Sequence, residues 1–216
     1  GPLATCRNGP VSSNVRRQNS MRALHIPKEL QEEFATVVAV WNSGGATMAV
    51  DSLILTWVKY EKQLRRLFCF LVFQHPEVDK KTVQKIVDIL AENSKLNPET
   101  ITKAINALKV GTVREFVGES HSRLAPEIAR IKTLRNKLMH GQVTGKGFTA
   151  GQLQIDVNLL IEWIAALAAG SKDKIGYDGL SRNTFLKAKE AIEIQVAGYP
   201  FSTPDEFGVW LRKVIK

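Results

Sequence analysis

Cysteine is scarce in this sequence. The 216 residues include two cysteines, Cys6 in a polar N-terminal stretch and Cys69 inside the apolar run "LFCFLVF". Two thiols in such different surroundings do not form the disulfide framework that small secreted domains use for support. We therefore expect an intracellular protein of a reducing compartment, the cytoplasm.

Long apolar runs and alternating strand patterns are also scarce. No apolar run approaches the roughly 20 residues that cross a bilayer, so we expect no membrane-spanning segment. The strongest run, "LFCFLVF", follows the charged stretch "KYEKQLRR" and therefore belongs to a helix of a soluble protein. The segment "AIEIQVAG" at 191–198 comes nearest to an alternating pattern, and a short strand there is left open.

The signatures of several enzyme classes are missing as well. The glycines of "GTVREFVG" and "GQVTGKG" have the wrong spacing for a phosphate-binding loop. The histidines are isolated and no Cys-x-x-Cys occurs, so we expect no metal site and no cofactor. A serine nucleophile elbow is absent too. These absences exclude P-loop and dinucleotide-binding enzymes, zinc enzymes and α/β-hydrolases.

Acidic residues are outnumbered by basic ones. The chain has 30 Lys and Arg against 21 Asp and Glu, which gives a net charge of +9. Such an excess favours RNA, DNA or an anionic membrane surface as a partner, and it does not distinguish among them. A basic protein without a polyanionic partner stays open as an alternative.

The N-terminal stretch and the rest of the chain differ in pattern. Residues 1–22 hold no acidic residue and hardly any apolar pattern, so we expect a flexible arm. Its first two residues, Gly-Pro, resemble the remnant of a cleaved purification tag. From position 26 onward almost every segment has residues that are typical of helix starts and ends, which predicts a single all-α domain over 23–216. The predicted helices are 26–45, 47–76, 79–94, 97–111, 125–141, 149–170, 181–198 and 203–215.

Several of these helices have clear start signals. Asn97 and Thr203 are each followed by proline, which is typical of a capping residue and the first helical position. Asp79 is expected to cap the third predicted helix, and Pro126 is expected in the first turn of the fifth. The helix over 149–170 is apolar almost all round, which predicts a central position in the core.

The helix that ends in "IKTLRNKLMHGQ" places an arginine among apolar residues. On a helical wheel, Ile131, Leu134 and Leu138 form one arc, and Arg135 falls inside it. A separate polar row runs along the edge of this arc and comprises Lys132, Asn136 and His140. Two interpretations remain open at this point: a chemical site, or a snorkelling arginine and a histidine favoured by the helix dipole.

The segment "LRNKLMHG" resembles the Arg-x4-His motif of the HEPN family, in its Arg-Asn-x-x-x-His form. The long preceding helix and the apolar helix "LLIEWIAALAA" after the motif loop resemble the family's small bundle. The resemblance covers roughly residues 47–170 and is specific only over the eight motif residues. It implies an all-α, HEPN-like helical bundle, here with additional C-terminal helices.

The resemblance also implies a function. Proteins of this family are metal-independent endoribonucleases, often toxins or antiviral defence components, and the match gives catalytic roles to Arg135, Asn136 and His140. It implies RNA as a partner, no membrane, and a homodimer across the Pro126–His140 helix, with a cognate inhibitor or antitoxin protein as a further partner. Gln142 stands where families paired with nucleotidyltransferase antitoxins have tyrosine, so modification there is not expected.

The residue types fit this chemistry independently of the family. A histidine with a near-neutral pKa can take the proton of an RNA 2′-hydroxyl, and an arginine can stabilise the charge on the attacked phosphate. Five residues apart on one helix, Arg135 and His140 diverge by about 140°. Two antiparallel copies of the helix would let Arg135 of one chain meet His140 of the other, which makes a dimer part of the mechanism. A monomer would also leave Arg135 half buried and unpaired inside the apolar arc.

Lysines near the motif are expected to bind the RNA backbone. Lys132 and Lys137 belong to the motif helix, and Lys146 lies at the centre of the glycine-rich loop "GQVTGKGFTAGQ". This loop is either a flexible connection or a mobile basic flap. Glu61 is expected to form a salt bridge with Arg65, four residues later on the long helix, and contact with the motif is the alternative.

Two further functions stay open. A non-catalytic helical module could dimerise and bind nucleic acid or a partner protein through its basic surface. A duplex-DNA regulator could use "NPETITKAINALKVGTVREFVG" as a helix-turn-helix.

Overall fold

The protein is described here by a computed structural model that covers residues 23–142, 148–181, 184, 187 and 196–216. All regular structure in these residues is helical, which confirms the predicted all-α class. The predicted arm at 1–22, Lys146 and most of the segment 191–198 lie outside the described residues. The helices are α1 Gln31–Asn42, α2 Met48–Phe73, α3 Val83–Ala91, α4 Pro98–Ala107, α5 Val113–Val117, α6 His121–Met139, α7 Ala150–Ile175 and α8 Pro204–Val214.

Helices α2 and α7, each 26 residues long, pack against one another at the centre of the bundle. Helices α1 and α4 pack on α2, helices α5 and α6 pack on α7, and α8 covers α3 and α4. The buried side chain of Gln63 ties the central pair together, because its amide donates to the Ile164 carbonyl at 3.0 Å. The predicted central position of the apolar helix over 149–170 is therefore confirmed.

By length and composition alone, α7 would be long and apolar enough to cross a membrane. Half of its most apolar window is buried inside the protein, as expected for a core helix of a bundle. The length and composition of α7 are therefore compatible with a membrane span and with a core helix alike.

Two predicted helix starts are confirmed by their hydrogen bonds. The Asn97 side chain accepts from the backbone N–H of Glu99 and Thr100, with Pro98 at the first helical position. The Thr203 hydroxyl accepts from the backbone N–H of Glu206. In both places the residue before the proline is extended, as the proline ring requires.

The prediction that Asp79 caps α3 is wrong in register. Its carboxylate accepts from the backbone N–H of Lys81 and Thr82, so it closes a turn that precedes the helix. The helix itself begins at Val83. An aspartate can cap a turn as readily as a helix, and the sequence alone does not separate the two.

The start of α6 also differs from the prediction. The helix begins at His121 rather than near Pro126, because a 3₁₀ turn over Gly118–Ser120 leads directly from α5 into it. Pro126 is therefore the sixth residue of the helix and lies inside it. Its missing N–H removes one hydrogen bond, that to the Ser122 carbonyl, close to an end where such bonds are few.

The short helix α5 lies directly against α7. A side-chain carbon added at Gly170 would come within 1.8 Å of the Phe116 carbonyl oxygen, so only glycine allows this approach. Val113, Phe116 and Val117 are all buried. Because α5 has five residues and is packed on α7, it does not offer the exposed recognition helix that a helix-turn-helix regulator needs.

Candidate active site at the C-terminal end of helix α6

Helix α6 ends at the glycine that the sequence indicated. Gly141 adopts a left-handed conformation with φ of 63°, and its N–H donates to the Leu138 carbonyl. The N–H of Gln142 donates to the Lys137 carbonyl at 2.9 Å. These bonds close the helix and leave His140, the C-terminal capping residue, exposed at its end.

The apolar arc of α6 faces the core as predicted. Ile131 is fully buried, and Ile128 and Leu134 are nearly so. Met139 lies in the last turn with 57% of its surface exposed, so the arc ends on a solvent-facing apolar side chain. The arrangement leaves Arg135 between a buried face and an exposed one.

Arg135 is partly buried, with 27% of its side chain exposed. Its guanidinium carbon lies 6.0 Å from the ring centre of Trp57 on α2. Its Nη1 donates to the Asn136 amide oxygen at 3.1 Å, and its Nη2 lies 3.7 Å from the Glu61 carboxylate. That carboxylate in turn accepts from the Trp57 indole N–H at 2.8 Å. Trp57, Asn136 and Glu61 therefore hold the guanidinium of Arg135 in one orientation.

The guanidinium nevertheless keeps an unused donor. The Nε of Arg135 is buried and has no hydrogen-bond acceptor among the described residues. The contact with Glu61 at 3.7 Å is an ion pair without hydrogen-bond geometry. A buried donor without an acceptor is costly, and the described residues contain three other buried side-chain polar atoms without a partner, on Ser52, Gln63 and Trp163. The accessible part of the Arg135 guanidinium, its terminal nitrogens, is what a bound anion could contact.

One expectation about a neighbour of the motif needs correction. Glu61 does not pair with Arg65, whose guanidinium donates to the Leu96 carbonyl at 2.7 Å; it lies beside the motif arginine instead. The tertiary contact between α2 and α6 decides this case. On α6 itself, the Asn136 amide oxygen accepts from the neighbouring Arg135, so this asparagine helps to position the arginine.

The structural argument for a homodimer also changes. A lone arginine in an apolar arc was expected to lack any partner in one chain. Arg135 instead has Trp57, Glu61 and Asn136 from its own chain, and only part of its donor capacity remains open. The argument for a second chain now depends on the divergence of Arg135 and His140 along α6.

The three lysines expected to bind RNA are in different situations. Lys132 forms an ion pair with Glu99 of α4, and Lys137 is exposed in the last turn of α6. Lys146 lies outside the described residues. The structure thus brings Lys137 to the same helix end as His140 and ties Lys132 to a neighbouring helix.

A second arginine of α6 was missed by the sequence interpretation. Arg130 donates through both terminal nitrogens to Asp156 of α7, at 2.6 and 3.2 Å, and Asp156 is fully buried. Its Nε donates to Glu127 at 2.8 Å. Hydrogen bonding to Asp156 is the main reason why the pKa of Arg130 is raised above its usual value. The single acid within the apolar segment "IDVNLLI" was the signal that could have indicated this pair.

The described residues contain no group of three or more His, Cys, Asp and Glu side chains close enough to hold a metal ion. Comparison of the chain with protein-family models, with curated proteins and with solved structures found no match in any of the three. The resemblance to HEPN proteins accordingly rests on the motif residues of the sequence and stays a prediction.

Proposed function

We propose that the protein is a metal-independent endoribonuclease whose active site is built from Arg135, Asn136 and His140. The observation that carries this proposal is the state of Arg135, a partly exposed cation that Trp57 and Glu61 hold in one orientation and whose terminal nitrogens donate one hydrogen bond, to Asn136, among the described residues. A phosphate diester offers an anionic acceptor to such a group. His140 stands exposed at the end of the same helix, where a substrate can reach it.

The chemistry needs a base, a cation and no external nucleophile. His140 would take the proton of a 2′-hydroxyl, whose oxygen then attacks the adjacent phosphorus. The bond from phosphorus to the 5′-oxygen breaks, and that oxygen takes up a proton. The products are a 2′,3′-cyclic phosphate and a 5′-hydroxyl end. Arg135 would stabilise the charge that gathers on the phosphate oxygens during attack.

A homodimer across α6 would complete the site. Residues five apart on one helix diverge by about 140°, so Arg135 and His140 of one chain converge poorly on one phosphate. Met139, more than half exposed beside them, gives this helix end an apolar surface suited to a second copy. An activity of this kind suits a toxin or an antiviral defence component, with a cognate inhibitor as a partner.

Two single variants test the proposal in excess chelator with a mixed RNA ladder. His140→Ala should slow cleavage by roughly 10²–10⁴, the usual effect of removing a positioned acid–base group. Arg135→Ala should also abolish cleavage and should weaken RNA binding, because a phosphate contact is lost. Cyclic phosphate ends on the wild-type products would support the mechanism. Wild-type rates in His140→Ala, or a strict need for added divalent metal, would refute it.

Mixing the two inactive variants tests whether the site is shared. A heterodimer of Arg135→Ala and His140→Ala chains would regain one complete pair, so part of the activity should return. Subunit exchange is verified with chains that carry different affinity tags. If exchange is complete and activity stays absent, each chain uses its own two residues and the shared site is wrong.

A non-catalytic RNA-binding module is the second candidate, and one contact favours it. The Glu61 carboxylate lies 3.7 Å from Arg135 and offsets part of the charge that a transition state would use. RNA bound by the wild-type dimer without any cleavage, with binding reduced in Arg135→Ala, would select this alternative.

A further inference from the structure

An open groove adjoins the Arg135 site. It has a volume of about 520 Å³, within the range of roughly 300–1,000 Å³ that is typical of ligand pockets. Helices α4 and α6 form its walls, and α2 and α7 form its floor. The groove is thus continuous with the proposed active site without containing any of the three motif residues.

The floor of the groove is aromatic and rigid. Trp57 and Tyr60 meet edge to face with ring centres 5.4 Å apart, and Tyr60 meets Trp163 in the same way at 6.4 Å. All three rings are at least 95% buried, so the core holds them in place. Burial raises the pKa of Tyr60 well above its usual value, so its hydroxyl stays neutral.

Trp57 connects the groove to the catalytic arginine. Its ring lies in the floor of the groove and also beneath the guanidinium of Arg135. A strand lying in the groove would therefore continue directly onto the phosphate-binding group.

The rim of the groove is basic. Lys103 and Arg114 are exposed on opposite ends of the α4–α5 wall, and Lys132 stands on α6. Glu99 is the acid among the lining residues and is paired with Lys132, so three cations against one carboxylate leave two positive charges. This charge pattern complements an anionic chain and would repel a basic peptide.

His121 adds an accessible ring to this rim. It is half-buried at the start of α6, with its ring centre 5.6 Å from that of Trp163. Burial, and after it the nearby charge of Arg114, lower the pKa of this histidine, so its ring is neutral at neutral pH. A neutral imidazole offers a flat face to a base without adding charge to the rim.

We propose that this groove binds a single-stranded stretch of RNA next to the phosphate that is cleaved, with a base against the half-buried ring of His121 above the aromatic floor and phosphates on Lys103, Arg114 and Lys132. Basic grooves with aromatic surfaces bind unpaired strands in this way, because every base has a π-face and every nucleotide a charge. A duplex presents its phosphates outward and its bases inward, so its bases cannot lie against this ring. This inference rests on the proposed ribonuclease function for the direction of the strand.

Blocking the groove tests the proposal. The intact chain carrying His140→Ala, which leaves RNA uncut, is titrated into a labelled single-stranded RNA about eight nucleotides long. Ala125→Trp would fill the groove and should weaken binding by about tenfold, the effect of losing one base contact. Ala169→Trp, on the far side of α7, is the matched control and should change the affinity by less than about twofold.

A charge variant keeps the test valid if the tryptophan disturbs folding. Lys103→Gln removes one exposed cation and should make the salt dependence of binding shallower by about 0.7 in a double-logarithmic plot. Lys80→Gln, exposed and remote from the groove, should leave that slope unchanged. Equal slopes for both variants, together with equal affinities for both tryptophan variants, would overturn the groove as a binding site.

The outcomes also separate this inference from the ribonuclease proposal. If the wild type cuts no RNA but Ala125→Trp still weakens binding, the groove is an RNA-binding site and the catalytic roles of the motif residues are wrong. If the wild type cuts RNA and Ala125→Trp has no effect on binding, the groove is wrong and catalysis stands. Equal affinity for a duplex of the same sequence, or displacement of the strand by an uncharged apolar peptide, would refute the proposed ligand class.

Discussion

Two arginines five residues apart on α6 have opposite surroundings. Arg130 donates a hydrogen bond from each of its three guanidinium nitrogens, two to the buried carboxylate of Asp156 and one to Glu127. Arg135 gives one hydrogen bond to Asn136, has Glu61 only within ion-pair distance, and keeps a buried Nε without an acceptor among the described residues. The same side chain on the same helix therefore serves two purposes.

The contrast indicates how structural and functional charges differ. A structural cation is matched by the fold, because a buried carboxylate such as Asp156 is very costly when it is left unpaired. If Arg135 binds phosphate as we propose, a binding cation is instead held in one orientation by its neighbours, with part of its hydrogen-bonding capacity left open. Substitution of Arg130 should therefore change mainly the free energy of unfolding, and substitution of Arg135 mainly RNA binding and cleavage.

The largest expected effect on stability is that of Arg130→Ala. It leaves Asp156 buried with Gln152 as its one remaining side-chain donor among the described residues, and the free energy of unfolding should fall by about 2–4 kcal/mol. Arg123→Ala is the matched control, because its partner Glu162 is itself about half exposed and such pairs contribute less than about 1 kcal/mol. Urea denaturation of both variants makes the comparison, and equal losses would contradict the structural role of Arg130.

The pair formed by Arg130 and Asp156 also shows where sequence reasoning stops. The two residues are 26 positions apart and lie on different helices. Helical periodicity assigns faces within one helix and says nothing about which faces meet. Part of the same limit applies to Glu61. The i+4 rule paired it with Arg65, but it accepts a hydrogen bond from Trp57, four residues earlier on the same helix, and lies beside Arg135 of α6.

Features set by residues close together in the sequence were predicted more accurately than contacts between helices. The caps at Asn97 and Thr203, the glycine that ends α6 and the buried arc of α6 all follow from rules that act within a few residues, and all are confirmed. The start of α6 was misjudged because proline is common in a first turn and is here tolerated one turn later. The groove beside Trp57 is formed by residues of five helices, so no rule that acts within one helix predicts it.

A much smaller loss of stability is expected for Arg135→Ala. The substitution removes a cation–π contact with Trp57 and an unsatisfied donor, and Glu61 keeps its hydrogen bond to the indole. The free energy of unfolding should therefore fall by about 1 kcal/mol or less. The same denaturation experiment measures it beside Arg130→Ala. A loss as large as that of Arg130→Ala would mean that Arg135 is a structural residue, and the contrast between the two arginines would disappear.

The smallest and most discriminating effect is expected at Glu61. Glu61→Gln keeps an oxygen that accepts from Trp57 and removes the negative charge 3.7 Å from Arg135. If Arg135 binds phosphate, RNA affinity should rise by about twofold to fivefold, because a competing ion pair of this kind contributes about 0.4–1 kcal/mol. The affinity is measured in the His140→Ala chain, which leaves RNA intact. The same substitution in a chain that also carries Arg135→Ala should have no effect, since the charge that Glu61 opposes is then absent. An equal gain in both backgrounds would show that Glu61 repels RNA by general charge alone, and Arg135 would lose its place as the phosphate-binding group.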